Sequence, residues 1–192
     1  EKRLISQPIK GTARRGNDPE EDEKIKYELK NNEKEQAENL MIVDLVRNDL
    51  AKSSIPGTVK VKDLFGIYTF QQVHQMISTV TAEIKKDLHF IDAIKNAFPM
   101  GSMTGAPKVK AMEFIEHYEK SKRGIYSGAA GFITPWGDFD FNVVIRSLFY
   151  NTKSKTLSFQ VGSAITYDSI PKKEYEECLL KAKAMMEVLD KT

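Results

Sequence analysis

The chain has 192 residues, of which 41% are hydrophobic and 29% charged, a composition typical of a globular domain. Its formal net charge of +2 gives no support for a nucleic-acid partner or a membrane-surface partner. A single cysteine, Cys178, excludes a disulfide framework, and no apolar run is long enough to span a membrane. Because the first residues lack the apolar segment of a signal peptide, we expect a cytoplasmic protein.

The first half of the chain predicts short strands and helices. Asp18 followed by Pro19 is typical of a helix start and predicts a helix to about residue 30, with a mobile loop as the alternative. A second helix is predicted over 33–50, because Leu40, Val43, Val46 and Leu50 repeat at helical spacing. The other predicted elements are strands at 3–9, 58–61, 67–72 and 74–81 and helices at 90–98 and 108–119.

The second half predicts a run of strands followed by one helix. Strands are expected at 125–134, 139–150 and 156–167, each joined to the next by a polar turn, and a helix at 171–189. Strands joined in sequence by short turns form an antiparallel sheet. The predicted class is therefore α+β, with helices packed on the outer face of an antiparallel sheet.

Four glutamates form two pairs with the same spacing. Glu35 and Glu38 lie three residues apart on one predicted helix, and Glu174 and Glu177 lie three apart on another. Residues at this spacing share one face of a helix. Two such faces would offer the oxygen ligands that Mg²⁺ prefers. The spacing alone favours the alternative, two solvated helix faces, because glutamate is common on helices.

Other single residues suggest chemistry that local sequence cannot decide. Lys10, before a glycine at a strand end, is either a partly buried nucleophile or an ordinary surface lysine. His74 is either an acid–base group or a structural histidine, and Lys181 either binds an anion or pairs with Glu177. Arg146 within an apolar strand predicts a buried anion, and the loop around Ser102 precedes a helix N-terminus that could bind one.

Taken together, several sequence blocks resemble those of the chorismate-utilising enzymes. The resemblance covers nearly the whole chain, with the blocks in the same order as in that family. Cys178 within the last block is interpreted as a packing residue. The blocks lie at 8–12, 37–50, 74–79, 104–113, 124–128, 145–147 and 174–178.

The resemblance implies a role for each candidate residue. It implies that Glu38 and Glu177 bind Mg²⁺ directly and that Glu35 and Glu174 hold its water ligands. His74 would lie near the ring carboxylate and the departing hydroxyl of chorismate. The residues implied to bind the substrate are Ser102, Tyr126, Arg146, Gly162 and Lys181.

Lys10 points to one branch of this family. The block Pro-Ile-Lys-Gly-Thr at 8–12 resembles the branch that aminates chorismate to 4-amino-4-deoxychorismate, in which this lysine is the nucleophile. Anthranilate-forming members have alanine at that position. The implied reaction uses ammonia from a glutamine amidotransferase partner and leads toward p-aminobenzoate and folate. Anthranilate synthesis and isochorismate or salicylate synthesis remain alternatives.

Two departures from the family pattern accompany the resemblance. Family members carry a Ser-Pro-Glu-Arg segment upstream of the lysine, whose glutamate protonates the departing hydroxyl. We therefore expect residues 1–192 to be the C-terminal part of a chorismate-binding domain, within a larger α/β sandwich. An inactive folded fragment lacking the general acid is the alternative of another class. The second departure is Ala164, which replaces a glycine whose backbone approaches the substrate.

Overall fold

A computed structural model describes residues 2–167 and 169–189, except the side chain of Ala184. The chain divides into two compact units, residues 1–119 and 120–192. The assignment of residues 1–192 to the C-terminal part of a chorismate-binding domain stays a prediction. Within the described residues, no helix is both long enough and apolar enough to cross a membrane.

The helices of the first unit begin where the sequence predicts. The Asp18 side chain accepts a hydrogen bond from the backbone N–H of Glu21, so the predicted helix forms rather than a loop. Asn32 caps the next helix in the same way, accepting from the N–H of Glu35. The helices are α1 (Pro19–Lys30), α2 (Glu33–Ser53), α3 (Phe90–Ala97) and α4 (Lys108–Tyr118), with a 3-10 helix at Gly101–Met103.

The first unit contains an antiparallel sheet of four strands with one strand, Val73–Glu83, at its centre. Its strands are β1 (Arg3–Ser6), β2 (Ile9–Arg14), β3 (Lys60–Thr69) and β4 (Val73–Glu83). Strand β4 pairs with β3 and also with β1 and β2, which follow each other along β4, so that Leu4 lies opposite Ala82 and Ile9 opposite Ile77. The strands predicted at 58–61 and 67–72 are thus one long strand, β3.

The core of the first unit lies between α2 and β4. Met76 and Val80 of β4 and Val43 of α2 are almost fully buried, and Ile42 lies beside them. Leu40, predicted to face the core, is exposed, because the buried face of α2 is centred on Asn39 and Val43. A polar residue therefore occupies a core position directly after Glu38.

The second unit contains two short hairpins and a long helix. Strand β5 (Ala129–Ile133) pairs with β6 (Phe139–Val143), and β7 (Phe149–Asn151) pairs with β8 (Thr156–Ser158). Helix α5 spans Pro171–Leu189, as predicted.

The three long strands predicted for this unit are wrong in length. Ser127 and Arg146 have positive φ angles of 68° and 52°, a left-handed conformation that interrupts an extended strand. Strand β5 consequently begins at Ala129, and the predicted strand 139–150 is divided into β6 and β7. The α+β class, with helices and antiparallel sheets, is confirmed.

Candidate functional site

Lys10 contacts one of the predicted metal ligands. Its Nζ atom donates a hydrogen bond to Glu38 Oε2 at 2.8 Å, joining β2 to α2. The two side chains are 31% and 29% exposed, so the pair is accessible from solvent while being partly shielded. A second cation, Lys34, lies 3.9 Å from the other oxygen of Glu38. The structure therefore places the candidate nucleophile beside the first glutamate pair.

A β-bulge sets the position of Lys10. Ile9 pairs with Ile77 and Thr12 with Gln75, so Lys10 and Gly11 together lie opposite Met76 alone. Bulges of this kind redirect a side chain and are frequent next to active sites. Gly11 has a φ angle of +98°, and a Cβ there would lie 3.3 Å from Glu35 Oε2. Both the backbone angle and the approach of Glu35 therefore favour glycine at this position.

Asn39 fills the space opened by the bulge. Its side-chain amide is completely buried and donates to the carbonyl oxygens of Lys10, at 3.2 Å, and Met76, at 3.4 Å. Its Oδ1 atom accepts a hydrogen bond of 2.6 Å from the hydroxyl of Ser78. The same hydroxyl accepts from the N–H of Phe65 in β3 at 3.0 Å. The Asn39 side chain therefore connects α2 to β2 and β4, and the Ser78 hydroxyl extends this connection to β3.

His74 is fully buried and both of its ring nitrogens have partners. Nδ1 lies 3.0 Å from Thr69 Oγ1, and Nε2 lies 2.9 Å from Asp22 Oδ1. In this conformation neither nitrogen is open to a substrate. The imidazole therefore links β4 to Thr69 of β3 and to Asp22 of α1.

Asp22 is the centre of an ion-pair network that includes His74. Arg15 donates to both carboxylate oxygens of Asp22, from Nε and Nη2, each at 2.9 Å. The backbone N–H of Gly16 donates to the same carboxylate at 2.7 Å. These hydrogen bonds, first that from Arg15 and then that from Gly16, hold the pKa of Asp22 well below its usual range. The Arg15 guanidinium has a raised pKa for the same reason.

A second group of predicted residues meets in the second unit. Lys181 Nζ lies 2.5 Å from Glu177 Oε1, the i,i+4 pair that the sequence offered as one interpretation. The same Nζ donates to the carbonyl oxygen of Gly162 at 3.0 Å. A Cβ on Gly162 would lie 2.9 Å from the Tyr126 hydroxyl oxygen. Four predicted residues therefore form one cluster of a carboxylate, a cation, a hydroxyl and a close-approach glycine.

The glutamate pairs have the chemistry that a hard cation requires. Carboxylate oxygens are preferred ligands of Mg²⁺, which retains several of its waters. Glu35 and Glu38 on α2 are half-buried, and on α5 Glu174 is half-buried and contacts Ser163 Oγ, while Glu177 is exposed. One pair belongs to each unit. Within the described part of the chain, no group of three or more carboxylate, histidine or cysteine side chains lies close enough to hold a metal.

Two further predicted residues are exposed. Ser102 lies in the 3-10 helix that follows α3, where the neighbouring Gly101 packs closely against Leu45 of α2. Arg146 was expected within an apolar strand, and this is wrong: it lies between β6 and β7. Its side chain is exposed, so the argument from a buried charge does not hold. The predicted strand end at 162–166 is also wrong, because β8 ends at Ser158.

Three residues of the first group were missed by sequence reasoning. Arg15 lay in a basic loop and Asp22 among the acids of a first helical turn, where charged side chains are ordinarily solvated. Asn39 had a visible signal, since it is an amide inside an otherwise apolar helical face next to Glu38. A buried amide requires partners, which predicts a polar network at that point.

These observations agree with comparisons to known proteins. The pattern of the chorismate binding enzyme family matches residues 1–187, and the chain therefore belongs to this family.

The relatives are named for two different activities, aminodeoxychorismate synthase and anthranilate synthase. The chain is 45% identical over 181 residues to the chloroplastic aminodeoxychorismate synthase of Arabidopsis thaliana, covering 94% of this chain and 20% of that protein. It is 40% identical over 190 residues to anthranilate synthase component 1 of Aquifex aeolicus, covering 99% and 38%. The crystal structure of anthranilate synthase component I from Streptococcus pneumoniae superimposes with a TM-score of 0.83 at 35% identity, covering 95% and 40%. The chain thus spans less than half the length of these relatives.

Proposed function

We propose that the chain is the part of an aminodeoxychorismate synthase that carries the lysine nucleophile and the carboxylates for Mg²⁺. The observation that carries this proposal is the contact between Lys10 Nζ and Glu38 Oε2 at 2.8 Å. It joins the lysine that distinguishes the aminating branch to a glutamate of the implied metal site. Similarity to aminodeoxychorismate synthases over nearly the whole chain supports the same activity.

The proposed reaction has two substitutions at the chorismate ring. In the first, the neutral amine of Lys10 forms a bond to C2, both ring double bonds shift, and the C4–oxygen bond breaks. The departing hydroxyl takes a proton from a general acid and leaves as water, while the new ammonium group loses a proton. In the second, ammonia adds at C4, both double bonds shift back, and the C2–nitrogen bond breaks as the Lys10 nitrogen takes up a proton and the new C4 ammonium group loses one. The product is 4-amino-4-deoxychorismate with Lys10 restored.

The carboxylates would hold the metal in this scheme. Glu38 and Glu177 would bind Mg²⁺ directly, and Glu35 and Glu174 would hydrogen-bond its waters. When bound, Mg²⁺ would neutralise the ring carboxylate and promote loss of the C4 hydroxyl.

The cationic and hydroxyl side chains would bind the dianionic substrate. Lys181 Nζ donates to the carbonyl of Gly162, and Gly162 lies close to the Tyr126 hydroxyl. The Lys181 ammonium, the Tyr126 hydroxyl and the backbone N–H of Gly162 would act as the donors that bind one carboxylate. Arg146, which is exposed, would offer a bidentate guanidinium, and Ser102 a hydroxyl. His74, whose nitrogens are both occupied, would support the site by holding β4 to α1 through Asp22. Ammonia would come from a glutamine amidotransferase partner.

Anthranilate synthesis is the second candidate. The 40% identity to the Aquifex aeolicus enzyme and the TM-score of 0.83 to the Streptococcus pneumoniae structure favour it. Both reactions consume chorismate and ammonia, but anthranilate formation also eliminates pyruvate. The products therefore differ in whether the enolpyruvyl group is retained.

A product assay separates the two candidates. The complete protein is incubated with chorismate, Mg²⁺ and an ammonium salt, and the products are identified by chromatography with mass detection. We expect 4-amino-4-deoxychorismate without pyruvate, and loss of that product in Lys10→Ala. Lys24→Ala is the matched control, because Lys24 is an exposed lysine of α1. Release of pyruvate with anthranilate, unchanged in Lys10→Ala, would contradict the proposal.

A further inference from the structure

Asn39 occupies a position that a helix core ordinarily gives to an apolar side chain. It lies on the buried face of α2 and is 0% exposed. Burying an amide is unfavourable unless its donors and acceptor are hydrogen-bonded. All of the partners of Asn39 lie in or beside the bulged segment: the carbonyls of Lys10 and Met76, and the Ser78 hydroxyl. The amide is therefore matched to this one feature of the sheet.

The bulge creates the need that Asn39 satisfies. Where Lys10 and Gly11 face Met76 alone, the regular ladder between β2 and β4 is interrupted. The carbonyl oxygens of Lys10 and Met76 belong to the two paired strands, β2 and β4, and both accept from Asn39. A side-chain amide has two N–H donors, which can bridge the two carbonyls. An apolar side chain at position 39 would leave both without this donor.

Consecutive residues of α2 thus hold both ends of Lys10. Glu38 accepts from its side-chain Nζ, and Asn39 donates to its main-chain oxygen. Ser78 fixes the orientation of the Asn39 amide, and its hydroxyl also binds the N–H of Phe65, which has a φ angle of 58°. The helix, the bulged strand and the central strand are joined at this one point.

From this arrangement we infer that Asn39 is a positioning residue for Lys10, which holds the bulge so that the lysine side chain is directed at Glu38. This inference rests on the proposed function in so far as Lys10 is the nucleophile. A displacement of about 1 Å at a reacting group can lower a rate about a hundredfold. Loss of the Asn39 bridge therefore affects the direction of Lys10 as well as stability.

The test compares Asn39→Ala with a matched control in the complete protein. Ser53→Ala is the control, because Ser53 is equally buried on α2 and accepts a hydrogen bond from Asn96, at the opposite end of the helix. Lysines are acetylated briefly with acetic anhydride in the presence of a chelator, and Lys10 modification is measured by peptide mass spectrometry relative to Lys24. Amination of chorismate is measured in parallel.

Asn39→Ala is expected to release Lys10 from its shielded position. Its acetylation should rise toward that of Lys24, which is 73% exposed, and the amination rate should fall by about tenfold to a hundredfold. Any effect of Ser53→Ala should be confined to the stability of the protein, and both the acetylation of Lys10 and the amination rate of the folded protein should stay unchanged. Unchanged acetylation of Lys10 in folded Asn39→Ala, or an equal rise in Ser53→Ala, would overturn the inference.

A milder variant keeps the test decisive if Asn39→Ala fails to fold. Ser78→Ala removes only the hydroxyl that orients the amide, and a smaller rise in Lys10 acetylation is expected. Acetylation equal to that of the wild type would then overturn the inference. The labelling needs neither chorismate nor ammonia. It therefore judges the position of Lys10 even if amination persists in Lys10→Ala and the proposed function fails.

Discussion

Replacing Gly11 by alanine is the sharpest structural test of the lysine-bearing bulge. Gly11 has a φ angle of +98°, where an L-residue costs about 1–2 kcal/mol. The new Cβ would also lie 3.1 Å from Met76 Cβ, 3.3 Å from Glu35 Oε2 and 3.4 Å from Leu29 Cδ1. Overpacking of this kind costs a further ~1–3 kcal/mol. We expect Gly11→Ala to lower the free energy of unfolding by about 2–5 kcal/mol in total.

Gly57→Ala separates the two contributions. Gly57 has a φ angle of +81°, but a Cβ there would meet no atom within 4 Å. This control should therefore show the backbone cost alone, about 1–2 kcal/mol, with no effect on amination. Both variants are compared with the wild type by urea denaturation and by the rate of chorismate amination. The reasoning is refuted if Gly11→Ala is no less stable than Gly57→Ala and aminates chorismate at the wild-type rate.

Three further predictions concern an ion pair, a helix cap and the metal. Because the pKa of Asp22 is lowered in the folded protein, its contribution to stability is fully present above about pH 4 and is lost as the pH falls through the folded pKa. Asp22→Asn should therefore be less stable than the wild type at pH 7. In urea denaturation between pH 7 and pH 3, the variant should lose less stability on acidification than the wild type does. The same loss in both proteins would contradict the assignment of this acid dependence to Asp22. Asp18→Ala should cost about 0.5–2 kcal/mol in the same assay, because it removes the cap of α1, and a neutral effect would show that the cap is not needed. Glu38→Gln should weaken Mg²⁺ binding at least about tenfold in calorimetric titration of the complete protein. Glu33→Gln, on the same helix, is the control and should bind Mg²⁺ as the wild type does. An equal Mg²⁺ affinity of Glu38→Gln and the wild type would show that Glu38 is not a metal ligand.

The helices were predictable because their signals are local. The cap at Asp18, the proline at position 19 and the spacing of apolar residues each act within one or two turns. Even so, Leu40 was placed in the core and is exposed, since spacing gives the period of a helix more reliably than the direction of its buried face. The face is fixed by Asn39, whose partners lie about 30 or more residues away in sequence.

The strands of the second unit were predicted too long for a related reason. Arg146 lies in an apolar run that favours a strand, yet its left-handed backbone ends β6 before that residue. Strand propensity does not predict where a residue other than glycine adopts a left-handed backbone conformation. The contacts of Lys10 with Glu38 and of Lys181 with Gly162 join residues that are distant in sequence, so residue spacing could not predict them. Spacing could suggest only the pair of Glu177 and Lys181, which lie four residues apart on one helix.

The most direct test of the proposed lysine chemistry is intact-protein mass spectrometry. The complete protein is incubated with chorismate and Mg²⁺ in the absence of ammonia, beside Lys10→Ala and the Lys24→Ala control. We predict an adduct with the mass of chorismate less one water in the wild type and in Lys24→Ala, absent from Lys10→Ala and discharged by added ammonia. An adduct that persists in Lys10→Ala would contradict the assignment of Lys10. Amination at an equal rate by the wild type and Lys10→Ala, with no adduct on either protein, would contradict covalent catalysis by this lysine.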